Sequence, residues 1–173
     1  MTAVLSQIAI PIGPVPINLA TFAVFCAGAI LGSKLGALSL VVWVATGAVG
    51  APVFSMFRGG LGTLAGPTGG FIIGFIPAAY ITGLIIEKPG KGNKTVLYPV
   101  AMLAGMLVYF CLGTVWFFFS TGTGFVQSLV ICVIPFLPGD IIKIAVATIL
   151  AKRMRAVLQT GPIKEHSGTG EKE

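Results

Sequence analysis

The chain has 173 residues, of which 55% are hydrophobic and 9% charged, with a net charge of +6 and a mean hydropathy of +0.99. A soluble domain carries about 25% charged residues, so this composition excludes a water-built globule and sets the length of one membrane domain of roughly six short spans. The positive charge does not indicate nucleic acid, because Lys88, Lys91 and Lys94, then Lys152, Arg153 and Arg155, flank apolar runs as juxtamembrane basic clusters do.

In chain order the apolar runs fall at about 1–12, 18–33, 35–54, 66–86, 95–119 and 138–152, each predicted as a helix. The first is too short: a helix ending at Pro11 covers only about 15 Å, half the hydrocarbon core. Either this start lacks the upstream half of helix 1, or that helix is stunted and enclosed by protein. It also lacks a basic n-region and an A-x-A site, which argues against a secretory signal peptide. Pro11, Gly13, Pro14 and Pro16 form the first turn, Gly59, Gly60 and Gly62 another, and Pro89 to Gly92 a third. The stretch from Gly122 to Pro135, bounded by Gly-Thr-Gly and proline, reads as a partly helical extracellular connection. Residues 161–173 are rich in Gly, Glu and Lys and are expected to be disordered. The expected organisation is therefore a transmembrane unit over 1–155 and a polar cytoplasmic tail over 156–173.

Lys34, the 88–94 loop and the 152–155 run all fall on one side of a six-span count, which predicts cytoplasmic N and C termini. The fold class expected is an all-α integral membrane protein, a six-transmembrane-helix bundle in the plasma membrane. Trp43 and the Trp116–Phe119 run read as interfacial anchors or lipid-facing packing. Gly62, Gly66, Gly70, Gly74 and Ala78, like Gly28, Gly32 and Gly36, repeat every four residues, a pattern for close helix packing in lipid. Gly59, Gly60 and Gly62, beside Arg58, differ in preceding a helix, where bare backbone lets a loop close over a ligand or offers it N–H groups.

Chemistry concentrates in Asp140 and Lys143, the only charged residues between Lys94 and Lys152. Three apart, they share a helix face. Pro138 and Gly139 precede them, so Asp140 falls in the first turn of the last span, where the helix dipole favours a carboxylate. Counted back from Lys152 the pair lies about 14–18 Å from the cytoplasmic boundary, in the outer half of the membrane. Intramembrane charges mark ligand sites by default. The bland reading is a self-satisfied ion pair, and a proton relay lacks further Asp, Glu or His in the membrane to continue it. Arg58 is the third outer-half charge and suits a carboxylate. Asn18, Ser55 and Thr68 supply neutral polar groups at the same level, although capping and turn roles are their ordinary use. No metal or catalytic centre is expected. Cys26, Cys111 and Cys132 lack ligand spacing, His166 is the sole histidine, and no Gly-Lys-Ser/Thr follows a glycine loop.

Four runs together resemble the BioY family, the biotin-specific substrate-binding (S) component of energy-coupling factor (ECF) transporters. They are Ile10-Pro-Ile-Gly-Pro-Val-Pro16, Gly59-Gly-Leu-Gly62, Gly66-Pro-Thr-Gly-Gly-Phe-Ile-Ile-Gly-Phe75 and Pro135-Phe-Leu-Pro-Gly-Asp-Ile-Ile-Lys143. The resemblance covers about 1–155 and implies a six-helix membrane protein that captures biotin from outside and catalyses nothing itself. Biotin would be the transported ligand rather than a cofactor. Its partners would be a transmembrane coupling subunit and two ATP-binding cassette ATPases. Carried over by residue, it makes Asp140 and Lys143 the principal biotin contacts and puts Thr68, Gly69, Gly70 and Phe71 by the pocket. The 13–18 loop and Arg58 to Gly60 would lie near its mouth. Phe71 stands where the family commonly has Tyr, Ala20 where Gln is common, and the first segment holds no Ala-x-x-x-Ala, the pattern associated with coupling-subunit docking. Other readings are an S component for another small vitamin, a membrane-embedded transferase, or a purely structural charge pair.

Overall fold

A computed structural model describes residues 1–11, 15–88 and 94–160. The expected disorder at 161–173 and the turn from Pro89 to Gly92 lie outside these residues. Most of the described chain is helical, but the first apolar run is not the helix expected from its hydrophobicity. Only α1, Thr2–Leu5, is helical; Ala9–Ile10 (β1) then pairs antiparallel with Ile17–Asn18 (β2). The reason is local: Pro11 disfavours the α conformation at Ile10, and β-branched Ile8 and Ile10 suit an extended backbone. Leu19 N–H also donates to Ile8 O at 3.1 Å, so the hairpin satisfies backbone groups that a broken helix would strand.

Helix α2, Ala20–Cys26, runs on as a π-helical segment, Ala27–Leu31, and turns at Gly32 (φ 88°) into α3, Ser33–Ala48. Only glycine adopts that backbone readily. A side chain arriving from elsewhere caps α3: Glu87 accepts from Ser33 N–H at 2.8 Å and from Ser33 Oγ at 2.5 Å. A loop containing a 3₁₀ turn, Ser55–Phe57, leads to α4, Leu61–Ala65, and α5, Gly69–Glu87. Then come α6, Lys94–Thr121, α7, Phe125–Cys132, and α8, Leu137–Thr160. The short α7 agrees with a partly helical connection between the last two long helices. The last helix runs five residues past the expected end of the transmembrane unit.

Among the described residues two helices suffice by length and composition to cross a membrane, Gly69–Glu87 and Val96–Thr121; α7 and α8, bent by 46°, make a third if counted as one span. The runs expected at 18–33 and 35–54 give the shorter apolar helices Ala20–Leu31 and Ser33–Ala48. Helices α5 and α6 form the central antiparallel pair, and small residues allow the approach. A Cβ on Gly70 would strike Trp116, one on Gly74 would crowd Tyr109, and one on Gly105 would meet the Ala78 carbonyl. Gly28 packs on the Ala79 carbonyl, and Gly36, beyond the turn at Gly32, packs back on that of Ala27. Gly62 faces open space and takes no part.

Trp43 corrects the reading of the aromatics. It is 7% exposed, stands edge-on to Phe54 with centroids 5.1 Å apart, and donates its N–H to Val53 O at 3.0 Å. Burial with the indole N–H satisfied by protein places Trp43 in the interior. Trp116 and Phe119 are exposed as expected, whereas Phe117 of the same run is buried.

Candidate functional site

The start of α8 delivers two charges into the bundle. Asp140 lies in the first turn, its N–H donating to Phe136 O at 2.9 Å, and Lys143 follows on the same face. The carboxylate is fully enclosed. Its Oδ1 accepts from Lys143 Nζ at 2.8 Å and from Thr21 Oγ1 at 3.1 Å, while Oδ2 accepts from Tyr109 Oη. Lys143 Nζ also donates to Asn18 O at 2.7 Å and to Thr21 Oγ1 at 3.0 Å. All three ammonium protons are thereby used, so the pair carries its buried charges with the hydrogen bonds that make burial tolerable.

Above this network, the protein encloses a cavity of about 700 Å³, the open space at its mouth included. Lys143, Thr21 and Tyr109 contribute to its floor, together with Phe136. Aromatic rings from α3, α5 and the 50–60 loop make the walls: Trp43, Phe71, Phe75 and Phe54. Asn18, Ser55, Arg58 and Thr68 join the lining from the hairpin, the 50–60 loop and the cap of α5. Asn18 Nδ2 bonds Ser55 Oγ, tying the hairpin to that loop. Arg58 is exposed and makes no ion pair among the described residues. The loop carrying it holds two non-glycine residues at positive φ, Met56 (60°) and Phe57 (57°), and Met56 lies on the cavity. Left-handed backbone at such residues is costly and needs support from its surroundings.

Of the expected site residues, Lys143, Arg58, Thr68, Phe71, Asn18 and Ser55 meet on one cavity. Asp140 sits behind its floor, screened by Thr21, Lys143 and Tyr109. Gly69 and Gly70 are not on the lining: a Cβ on Gly69 would strike the Leu64 carbonyl, and Gly70 lies against Trp116. They bring the helix start close to its neighbours. The 13–18 stretch is described from Val15 onward, and Val15 and Pro16 lie on the lining.

Two polar residues were missed by reading the sequence. Tyr109 Oη bonds the carboxylate from α6, and Thr21 Oγ1 bridges Asp140 and Lys143 from α2. The signal for Tyr109 is a tyrosine near the middle of a span, where the hydroxyl must find a protein partner. Thr21 shows no such signal, since a lone threonine in an apolar helix ordinarily bonds its own backbone. Among the described residues no three His, Cys, Asp or Glu side chains converge as a metal site.

A helical bundle with apolar outer faces, enclosing an aromatic cavity that has cations at both ends, defines a membrane protein that holds a small polar molecule. The chain belongs to the BioY family, whose sequence model matches residues 1–160. It is 41% identical over 155 residues to the probable biotin transporter BioY of Pyrococcus horikoshii, covering 90% of each chain. It is 38% identical to the biotin transporter BioY of Rhodobacter capsulatus over 83% of this chain and 81% of that one. The Thermotoga maritima biotin transporter BioY is 37% identical, with 86% and 85% covered. Among solved structures, the S-component for biotin from an ECF-type ABC transporter superposes with a TM-score of 0.84 at 28% identity, covering 90% of this chain and 85% of that one.

Proposed function

We propose that the chain captures biotin in this cavity as the substrate-binding subunit of an ECF-type vitamin transporter in the cell membrane. One observation carries the reading: in a chain of this family, a single aromatic cavity joins Lys143 on its floor to Arg58 in the 50–60 loop. Biotin has a ureido ring, an apolar thiophane and a carboxylate tail, and the three parts need those three environments. The ureido N–H groups meet the free lone pairs of Thr21 and Tyr109, whose own O–H groups are turned to Asp140 behind them, beside Lys143. The carboxylate meets Arg58, whose guanidinium donates in pairs. Capture breaks no bond in the ligand, and energy comes from partner ATPases through a coupling subunit.

The proposed topology has six crossings with both termini cytoplasmic, α2, α3, α5, α6 and α8 being five of them and α1 belonging to the first. Its support is the clustering of Lys34, Glu87 and Arg155 at one end of the bundle, opposite Arg58 and Thr68. Helices α2 with its π segment and α3 have 12 and 16 residues, short for a span, and a locally thinned bilayer accommodates such mismatch.

A second reading, a purely structural charge pair, draws on the fact that Lys143 already has partners for all its protons. Calorimetry on the detergent-purified protein separates the two. Wild type should bind biotin and not riboflavin or thiamine. Asp140→Asn and Lys143→Ala should each lose about tenfold or more in affinity, about 1.4 kcal/mol or above. Near-normal biotin binding by both folded variants supports the structural reading instead.

A further inference from the structure

Two side chains just past α1 reach over to the loop that carries Arg58. Gln7 Oε1 accepts from Phe57 N–H at 2.8 Å. Its Nε2 donates to Ala3 O at 3.0 Å, in its own helix, and to Pro52 O at 3.3 Å, on the other limb of the loop. Its neighbour Ser6, fully enclosed, donates to Val53 O at 2.7 Å. One dipeptide thus meets three backbone groups of the loop. Gln7 itself is half-buried and stands off the cavity lining.

The loop needs such a hold. Met56 (φ 60°, ψ 37°) and Phe57 (φ 57°) are consecutive left-handed residues, the pattern of a type I′ turn, which selects Asn and Gly rather than Met and Phe. Bulky residues persist at positive φ only where their surroundings over-determine them. The turn's own closing bond, from Arg58 N–H to Ser55 O, is long at 3.4 Å. The Phe57 side chain is 71% exposed and gives little packing in return. On either side the loop is pinned, since Phe54 N–H donates to Arg58 O at 2.9 Å and Asn18 Nδ2 bonds Ser55 Oγ. At the tip, the Phe57 N–H belongs to the peptide between the two left-handed residues, so a bond on it fixes both. We propose, on the reading that Arg58 meets the biotin carboxylate, that Gln7 is a positioning residue for the ligand cavity. By holding that peptide it keeps Met56 and Arg58 in their places on the lining.

Two measurements on the full chain in detergent test this, one of them needing no ligand. Trypsin cleavage after Arg58, followed by mass spectrometry, should run about fivefold faster in Gln7→Leu, as one lost hydrogen bond allows. Gln7→Asn, which withdraws the amide by one carbon, should do the same and serves where the apolar variant does not fold. In calorimetry each variant should bind biotin about fivefold more weakly and biotinamide, which lacks the carboxylate, within about twofold of wild type. A merely structural contact would not respond to the residue in the turn. In a Phe57→Gly background, where glycine takes the left-handed backbone freely, either Gln7 substitution should change cleavage and biotin affinity by about twofold or less. Cleavage unaltered by both Gln7 variants, a loss that persists in the Phe57→Gly background, or equal losses of biotin and biotinamide would each overturn the proposal. Wild type that binds no biotin refutes the biotin reading instead, and the cleavage rates then decide whether Gln7 holds the turn.

Discussion

Lys143 and Asp140 show how charges are kept in hydrocarbon. Each polar atom of the pair has a partner, drawn from Asn18, Thr21 and Tyr109 on three other elements. Removing one member leaves the other buried without its counter-charge, at a cost of about 3–5 kcal/mol. Asp140→Asn should therefore lower the thermal midpoint in detergent as well as weaken biotin. Tyr109→Phe keeps the ring and deletes the hydroxyl on Oδ2, so it should destabilise by about 1–3 kcal/mol, read by thermal unfolding. An unchanged midpoint would show that Asp140 does not depend on that bond. Arg58 is the opposite case, exposed and without an ion pair among the described residues. Arg58→Gln should leave stability alone and cost biotin about tenfold in affinity through lost paired donors. Biotinamide, lacking the carboxylate, should lose much less, and equal losses for both ligands would remove Arg58 from the carboxylate.

Among the elements, glycine spacing and hairpin geometry were legible to different degrees. The four-residue repeat correctly marks Gly70 and Gly74 as contacts, because a helix brings every fourth residue to one face; Gly28 and Gly36 are contacts too, but in segments on either side of the turn at Gly32. It does not distinguish Gly62, which has the spacing and no neighbour. Gly62→Ala should thus give normal yield and a monodisperse gel-filtration peak. Gly83→Val, whose Cβ would strike the backbone at Gly32 and Ser33, should give aggregated or absent protein. The opposite pattern would mean that helix α5 packs otherwise. The first run was misread as helix because hydrophobicity says nothing about backbone conformation once Pro11 follows Ile10. The Arg58 loop was legible only as glycine-rich, whereas its left-handed Met56 and Phe57 are set by tertiary support.

For the whole molecule, two ends carry two jobs. Arg58 and Thr68 lie at one, and Glu87, held by Ser33 with Lys34 and Arg155 near, lies at the other. The proposed orientation puts the first outside. In a Cys111→Ser background, a cysteine at Gly62 should react with a membrane-impermeant maleimide in intact cells. One at Lys88 should react only after lysis. Cys26 and Cys132 are buried and give little background. Reversed labelling would invert the topology and close the cavity to external biotin.

Composition by itself determined a membrane protein, and the isolation of Asp140 and Lys143 singled out the buried charge pair at the cavity floor, since hydrocarbon leaves few reasons for a charge. Only the tertiary structure decided that Asp140 stands behind the floor while Lys143 reaches the cavity, and that Trp43 is wall rather than anchor. The physical reason is that a residue's place in the hydrocarbon follows from its own chemistry. Which side of it meets a ligand depends on partners such as Tyr109 and Thr21, 31 and 119 residues away from Asp140 in the chain.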